Sequence, residues 1–189
     1  MGLKSDILNF EVDILNSVIV ITTVLIIIII VNFIIRTYND IAELKELRTS
    51  AFDNLGFSLN KRYNDIEDIL NFCKQYITDE NRFVVKLLQI KLLPVEQKLE
   101  VENDLIKDLR VLLNEAIESQ MFNDSEEFKE LRIRLAKSEK IIFEAMNALN
   151  LRTDVYNKKI NNFPNILVAK LAKFKELPEY DIDFITRKP

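Results

Sequence analysis

The chain has 189 residues, with 26 Lys and Arg against 30 Asp and Glu, and a net charge of −4; such a balance argues against nucleic acid as a partner. Two Gly and four Pro are too few for the turns of a β-rich or α/β domain of this size, so the fold class is all-α. With no His, no Trp and one Cys, the commonest general base and metal ligand are missing and an internal disulfide is excluded.

The stretch Ile14 to Ile35 has no charge, no Pro and no Gly, and includes the unbroken run Ile26 to Ile30. At about 1.5 Å per residue it spans roughly 33 Å, enough to cross a bilayer core of about 30 Å. No small-residue cleavage site follows it, so it reads as an uncleaved signal-anchor. Lys4 is the one basic residue before the span, whereas Arg36, Lys45 and Arg48 follow it closely. The positive-inside bias therefore places the N-terminus outside and the remainder in the cytoplasm. Asn16 and Thr23 lie on one face of the span. They read either as polar contacts between spans of an oligomer or as groups satisfied locally, Asn16 near the interface and Thr23 on its own backbone.

Beyond the span, apolar residues recur in steps of three and four at Ile41, Leu44, Leu47, Ala51, Leu55, Leu59, Tyr63, Ile66, Leu70, Cys73 and Ile77. Gly56 costs only about 1 kcal/mol relative to Ala, so the membrane helix is expected to continue to about Thr78, coupling membrane angle to bundle angle. A turn at Thr78 to Asn81, with Asp79 as candidate cap, leads to a second helix through Val84, Leu99, Leu109 and Leu113, kinked or briefly broken at Pro94. A turn at Met121 to Ser125, with Asp124 and Glu127 at capping-box spacing, opens a third helix through Phe128, Leu135, Ile142 and Leu149. Asn162 to Asn165 ends it, and Ile166 to Phe174 reads as a short fourth helix. Three long helices with short turns are expected to run up, down and up as an antiparallel bundle.

Two Gly and no His leave no phosphate-binding loop, no zinc-protease motif and no Ser-His or Cys-His dyad. The acidic residues Asp65, Glu67, Asp68, Glu126 and Glu127 follow no calcium-loop spacing and read as solvated faces. Cys73 sits on the apolar stripe and reads as a buried, inert thiol. Lys158, Lys159, Lys170, Lys173 and Lys175 form a basic patch near the C-terminus. It reads either as a surface for anionic lipid or a partner, or as ordinary solubilising charge.

The order of several short motifs resembles the LemA family. Tyr38-Asn39 and Ala51-Phe52 stand like the family's opening Tyr-Asn and Ala-Trp pairs. Lys61 and Arg62 stand at its basic pair, with Tyr76 and Glu80 at its following Tyr and Glu. Glu139, Asn150, Tyr156, Asn157, Phe163 and Pro164 match its late Glu, Tyr-Asn and Phe-Pro signature. The chain departs from that pattern at Phe52 for Trp, Glu67-Asp68 for Pro-Asn, Met146 for Arg, Leu149 for Tyr, and Lys170 and Lys173 for glycines. Loss of the Pro favours a straighter first helix. The resemblance implies a bacterial membrane-anchored helical bundle without established enzymatic activity, in a family associated with organising or remodelling membranes.

The expected organisation is a short extracytoplasmic N-terminus over 1–13, a transmembrane helix over 14–35, a LemA-like bundle over 36–175 and a tail over 176–189. The expected protein is a non-enzymatic, single-pass component of the bacterial inner membrane with no cofactor. It is expected to self-associate and to scaffold or remodel the bilayer; the alternative is a tethered adaptor for another membrane protein, such as a protease or sensor.

Overall fold

The computed structural model describes residues 2–73, 80–118 and 125–181. Among the described residues there are five helices: α1 (Gly2–Cys73), α2 (Glu80–Lys91), α3 (Val95–Glu118), α4 (Glu126–Asn161) and α5 (Asn165–Leu171). No strand occurs among the described residues, and the fold is all-α. The expected cap Asp79 and helix end at Thr78, the motif residue Tyr76, the cap Asp124 and the tail beyond residue 181 lie outside the described residues.

The chain divides into two compact units, one of residues 1–45 with 157–176 and one of residues 46–156 with 177–189. In the first, the apolar side chains from Ile14 to Val31 are 47% to 67% exposed. The helix is therefore long and apolar enough to cross a membrane. Thr22 and Thr23 donate their hydroxyls to the Val18 and Ile19 carbonyls, and the Asn32 amide donates to the Ile28 carbonyl. Those polar groups are satisfied within the helix itself, as an apolar environment requires. Just past the span, Thr37 and Ile41 are buried, as are Ile160, Val168 and Ala169 from the end of α4 and α5.

The second unit holds the larger core, built from the apolar stripe of α1 (Ala51 to Cys73) with Leu87, Leu105, Leu109, Phe128, Ile142 and Leu149. Its helices run alternately. Contacts between α3 and α1 rise together in number, with Val95 on Gly56, Lys98 on Asn60 and Glu102 on Arg62, so the two are parallel. Contacts of α4 with α1 fall as α1 rises, from Asp68–Arg134 through Arg62–Glu139 to Leu47–Arg152, so α4 is antiparallel. The short α2 forms a hairpin with α3, and the exposed Lys86–Asp108 ion pair bridges the two.

This corrects the expected up, down and up. Pro94 does not merely kink a single second helix. The amides of Leu92 and Leu93 make short-turn bonds to the Gln89 and Ile90 carbonyls, and the Pro94 carbonyl then accepts the first α3 bond, from Lys98. Lacking an N–H, Pro94 cannot continue α2, and the chain reverses there. The reversal adds a helix, so α4 descends along α1 instead of rising. Gly56 is where α3 starts on α1: a Cβ there would lie 2.6 Å from Val95 Cγ2, so glycine permits the approach. At the head of α4 the Ser125 hydroxyl accepts the Phe128 amide, placing a Ser cap at the position next to the expected Asp.

Candidate functional site

The second unit carries a charged cluster inside its core. Arg62 of α1 is fully buried, Glu102 of α3 equally so, and Glu139 of α4 nearly so. All three stand in core register with apolar neighbours three and four residues away, at Leu59 and Ile66, Leu99 and Leu105, and Leu135 and Ile142. Arg62 Nη1 donates to Glu102 Oε1 at 2.8 Å, and the Tyr63 hydroxyl donates to Glu102 Oε2 at 2.6 Å. Glu139 Oε1 stands 3.7 Å from Arg62 Nη2 and makes no hydrogen bond among the described residues. Beside them, buried Lys98 donates to Asn60 Oδ1 at 2.7 Å and lies over the Tyr63 ring.

Burial dominates the electrostatics of this cluster. It raises the Glu102 carboxyl above the usual range, against the pull of the Arg62 charge and the Tyr63 hydrogen bond. Glu139 is raised for the same reason, with Arg62 and Arg110 opposing and Glu102 reinforcing. The Tyr63 hydroxyl is raised by burial and by the Glu102 charge, and so remains protonated as a donor. The arrangement ties three helices together through one guanidinium, and its chemistry is that of an internal ionic lock.

The pH response follows from these directions. A carboxyl whose folded-state pKa lies above its unfolded value, near 4.5, binds its proton more tightly when folded. It therefore adds stability below that value and loses it as pH rises through the folded pKa. The urea midpoint should accordingly fall as pH rises from about 4.5 through the folded pKa of Glu139, and Glu139→Gln should flatten that decline and raise its alkaline end. An unchanged slope in the variant would remove Glu139 from the account.

The model of the LemA family matches residues 51–189. The chain belongs to the LemA family. No curated protein and no solved structure matches it. The matched region starts after Tyr38-Asn39 and after the apolar span.

The LemA motif residues divide between distinct places. Arg62 and Glu139 enter the buried lock, whereas Lys61 is exposed and lines a shallow cleft with Asp65 and Arg134. Phe52 and Asn150 hold the segment after α5. The Asn150 amide donates to the Tyr180 carbonyl at 2.7 Å and accepts its N–H at 3.0 Å, while the Phe52 and Tyr180 rings lie 6.0 Å apart. Arg48 covers the other ring contact of Phe52, its guanidinium 4.9 Å from the centroid. Tyr156 is buried, which raises its hydroxyl pKa, and Asn157 is half-buried. Leu149 and Met146, which replace a Tyr and an Arg of the family, are both buried in the core. Glu80 opens α2.

In the first unit, Tyr38 packs on Phe174 with ring centroids 5.6 Å apart, and Asn39 is exposed. Lys159 pairs with Asp40 at 2.9 Å. Phe163 and Pro164 are exposed and joined by a cis peptide bond, while Lys158, Lys170, Lys173 and Lys175 are exposed around them. Asn16 is exposed on the span. The acidic residues read as solvated include ordinary ion pairs, Glu67 with Lys91, Asp68 with Arg134 and Glu126 with Lys129. No group of three or more metal-ligating side chains occurs among the described residues.

Lys173 explains a family glycine. It has φ 60, and the Phe174 amide bonds to the Ala169 carbonyl while the Lys173 amide bonds to the Lys170 carbonyl. That pair of bonds closes α5 in a Schellman turn, whose left-handed position suits Gly and strains any residue with a Cβ. Lys173→Gly should therefore stabilise the protein by about 1 kcal/mol, read as a raised midpoint in thermal melting.

Tyr63 and Glu102 were not singled out as site residues by sequence reasoning. Tyr63 counted only as part of an apolar stripe. The signal for Glu102 was present nonetheless, since a Glu between Leu99 and Leu105 occupies the buried face of an otherwise regular helix.

Proposed function

We propose that this LemA-family protein is a non-enzymatic membrane scaffold, held by α1 and associating laterally with copies of itself. The observation that carries the reading is the apolar surface of residues 14–31 on α1, exposed on every face and attached to a bundle whose central polar residues are engaged in an internal lock. Self-association is supported by apolar side chains along the outer side of α4, where Ile133, Ile141, Leu151 and Val155 are 54%, 42%, 64% and 43% exposed. The charge asymmetry around the span supports a cytoplasmic bundle in the bacterial inner membrane.

The test is the oligomeric state of the full-length protein by native mass spectrometry from lipid, with cryo-electron microscopy of loaded liposomes. Multimers that persist through the micromolar range, together with altered liposome shape, are expected. A strict monomer on unaltered liposomes overturns the reading. A stoichiometric heterologous partner in cellular crosslinking would replace it with the adaptor reading.

A further inference from the structure

The corner between α4 and α5 has a composition its position makes informative. Phe163 is 81% exposed, Leu167 61% and Leu171 76%, while Val168 and Ala169 on the opposite side of α5 are buried. Apart from Lys170, every residue of α5 after Asn165 is apolar. A helix apolar on both faces needs cover on both, and here only one face has it from the chain itself. Residues 157–175 also hold five Lys and no acidic residue.

The place of this corner within its unit indicates what covers the open face. Phe174 packs on Tyr38 with the rings tilted, and Lys159 pairs with Asp40. Tyr38 is three residues past Ile35 on the same helix, a rise of about 4.5 Å. The interfacial layer outside a bilayer core is itself roughly 5–8 Å thick on each side. The corner thus packs on α1 at the depth where the span leaves the hydrocarbon and meets headgroups.

We propose that the α4–α5 corner is a second lipid contact: Phe163, Leu167 and Leu171 enter the interfacial layer of the bilayer that α1 crosses, and Lys170 and Lys173 face its anionic headgroups. The proposal rests on α1 being a membrane anchor. Exposed apolar side chains flanked by Lys are the chemistry of interfacial helices, and the tether holds them at the surface permanently. The Lys residues are then neither simple solubilising charge nor a site for a distant membrane. The Lys173 turn gains a use as well, since it sets a cation at the close of α5 beside the apolar corner.

The chain has no Trp, so single-Trp variants of the full-length protein report local environment directly. Phe163→Trp, Ile26→Trp and Phe57→Trp are reconstituted in vesicles of brominated phosphatidylcholine mixed with phosphatidylglycerol. Phe57 is 73% exposed and lies well beyond the span on α1, so it serves as the aqueous reference. The expected result is blue-shifted, bromine-quenched emission from F163W and I26W, and unquenched emission from F57W. Added K170E and K173E substitutions should reduce F163W quenching while leaving I26W unchanged. If I26W is quenched and F163W is not, the corner proposal is overturned and the anchor stands. If I26W is unquenched, the anchor fails and the proposal with it. An F163W shielded from aqueous iodide yet untouched by bromine would place a second copy or another protein on the corner, which also overturns it.

Discussion

Arg62→Met should lower the unfolding free energy of the bundle by about 3–5 kcal/mol, the cost of removing one partner from a buried ionic cluster. Arg62 is wholly buried and gives Glu102 its direct cationic contact at 2.8 Å. Methionine replaces most of the lost packing, so the penalty measures charge rather than volume. Without the guanidinium, Glu102 keeps the Tyr63 hydroxyl but must take up a proton or draw in water, and Glu139 loses the charge that opposes its desolvation. Urea unfolding followed by circular dichroism reads this as a lower midpoint at unchanged slope. Combining R62M with Glu102→Met, Glu139→Met and Tyr63→Phe, which also removes the hydroxyl that Glu102 accepts from, should recover most of the loss, because buried ion clusters and apolar replacements of similar volume are near equal in stability. A single R62M variant within about 1 kcal/mol of wild type would mean that the cluster is solvated in solution.

Leu109→Asp should abolish cooperative folding altogether. Leu109 is fully buried on α3 amid Leu105, Ile106, Leu112 and Leu113. The substitution removes about 1.5–3 kcal/mol of apolar burial. It also places a carboxylate in the apolar core, which costs several kcal/mol more. Set against a typical total of about 5–15 kcal/mol, the sum leaves little or no folded population. Val111, two residues along the same helix, is 58% exposed. Val111→Asp should therefore stay within about 0.5 kcal/mol of wild type, and the pair separates burial from any general intolerance of α3 to charge. A helical, cooperatively melting L109D protein would displace α3 from the core.

The contrast between these sites shows what residue spacing reveals. Leu109 was legible because its neighbours repeat every three or four residues, and a helix of that pattern has one face to bury. The continuity of α1 was equally legible, since no residue between Ile35 and Cys73 costs enough to break it. The topology was harder to read because it hinges on Leu92 to Pro94. Two leucines there maintain the apolar pattern across the turn, and only the missing Pro94 donor signals that the chain reverses. That one reversal sets the direction of α4 and brings Lys159 to Asp40 beside the span. The ionic lock was half legible. Arg62 and Glu139 stood out through the LemA motifs, whereas Glu102 had to be noticed as a carboxylate in a core position, and its partner Tyr63 passed for an ordinary apolar residue.

The central claim is that α1 holds a LemA-family bundle in lipid, and flotation of the full-length protein with liposomes through a density gradient tests it most directly. Residues 14–31 expose apolar side chains on every face, so the protein should float with the vesicles and stay with them through high salt and alkaline carbonate wash. Replacing Ile26 to Ile30 with Ser should leave it at the bottom with its helical circular dichroism retained from the bundle. A wild-type chain that carbonate strips from the vesicles, or that never floats, would contradict the anchor and the functional reading built on it.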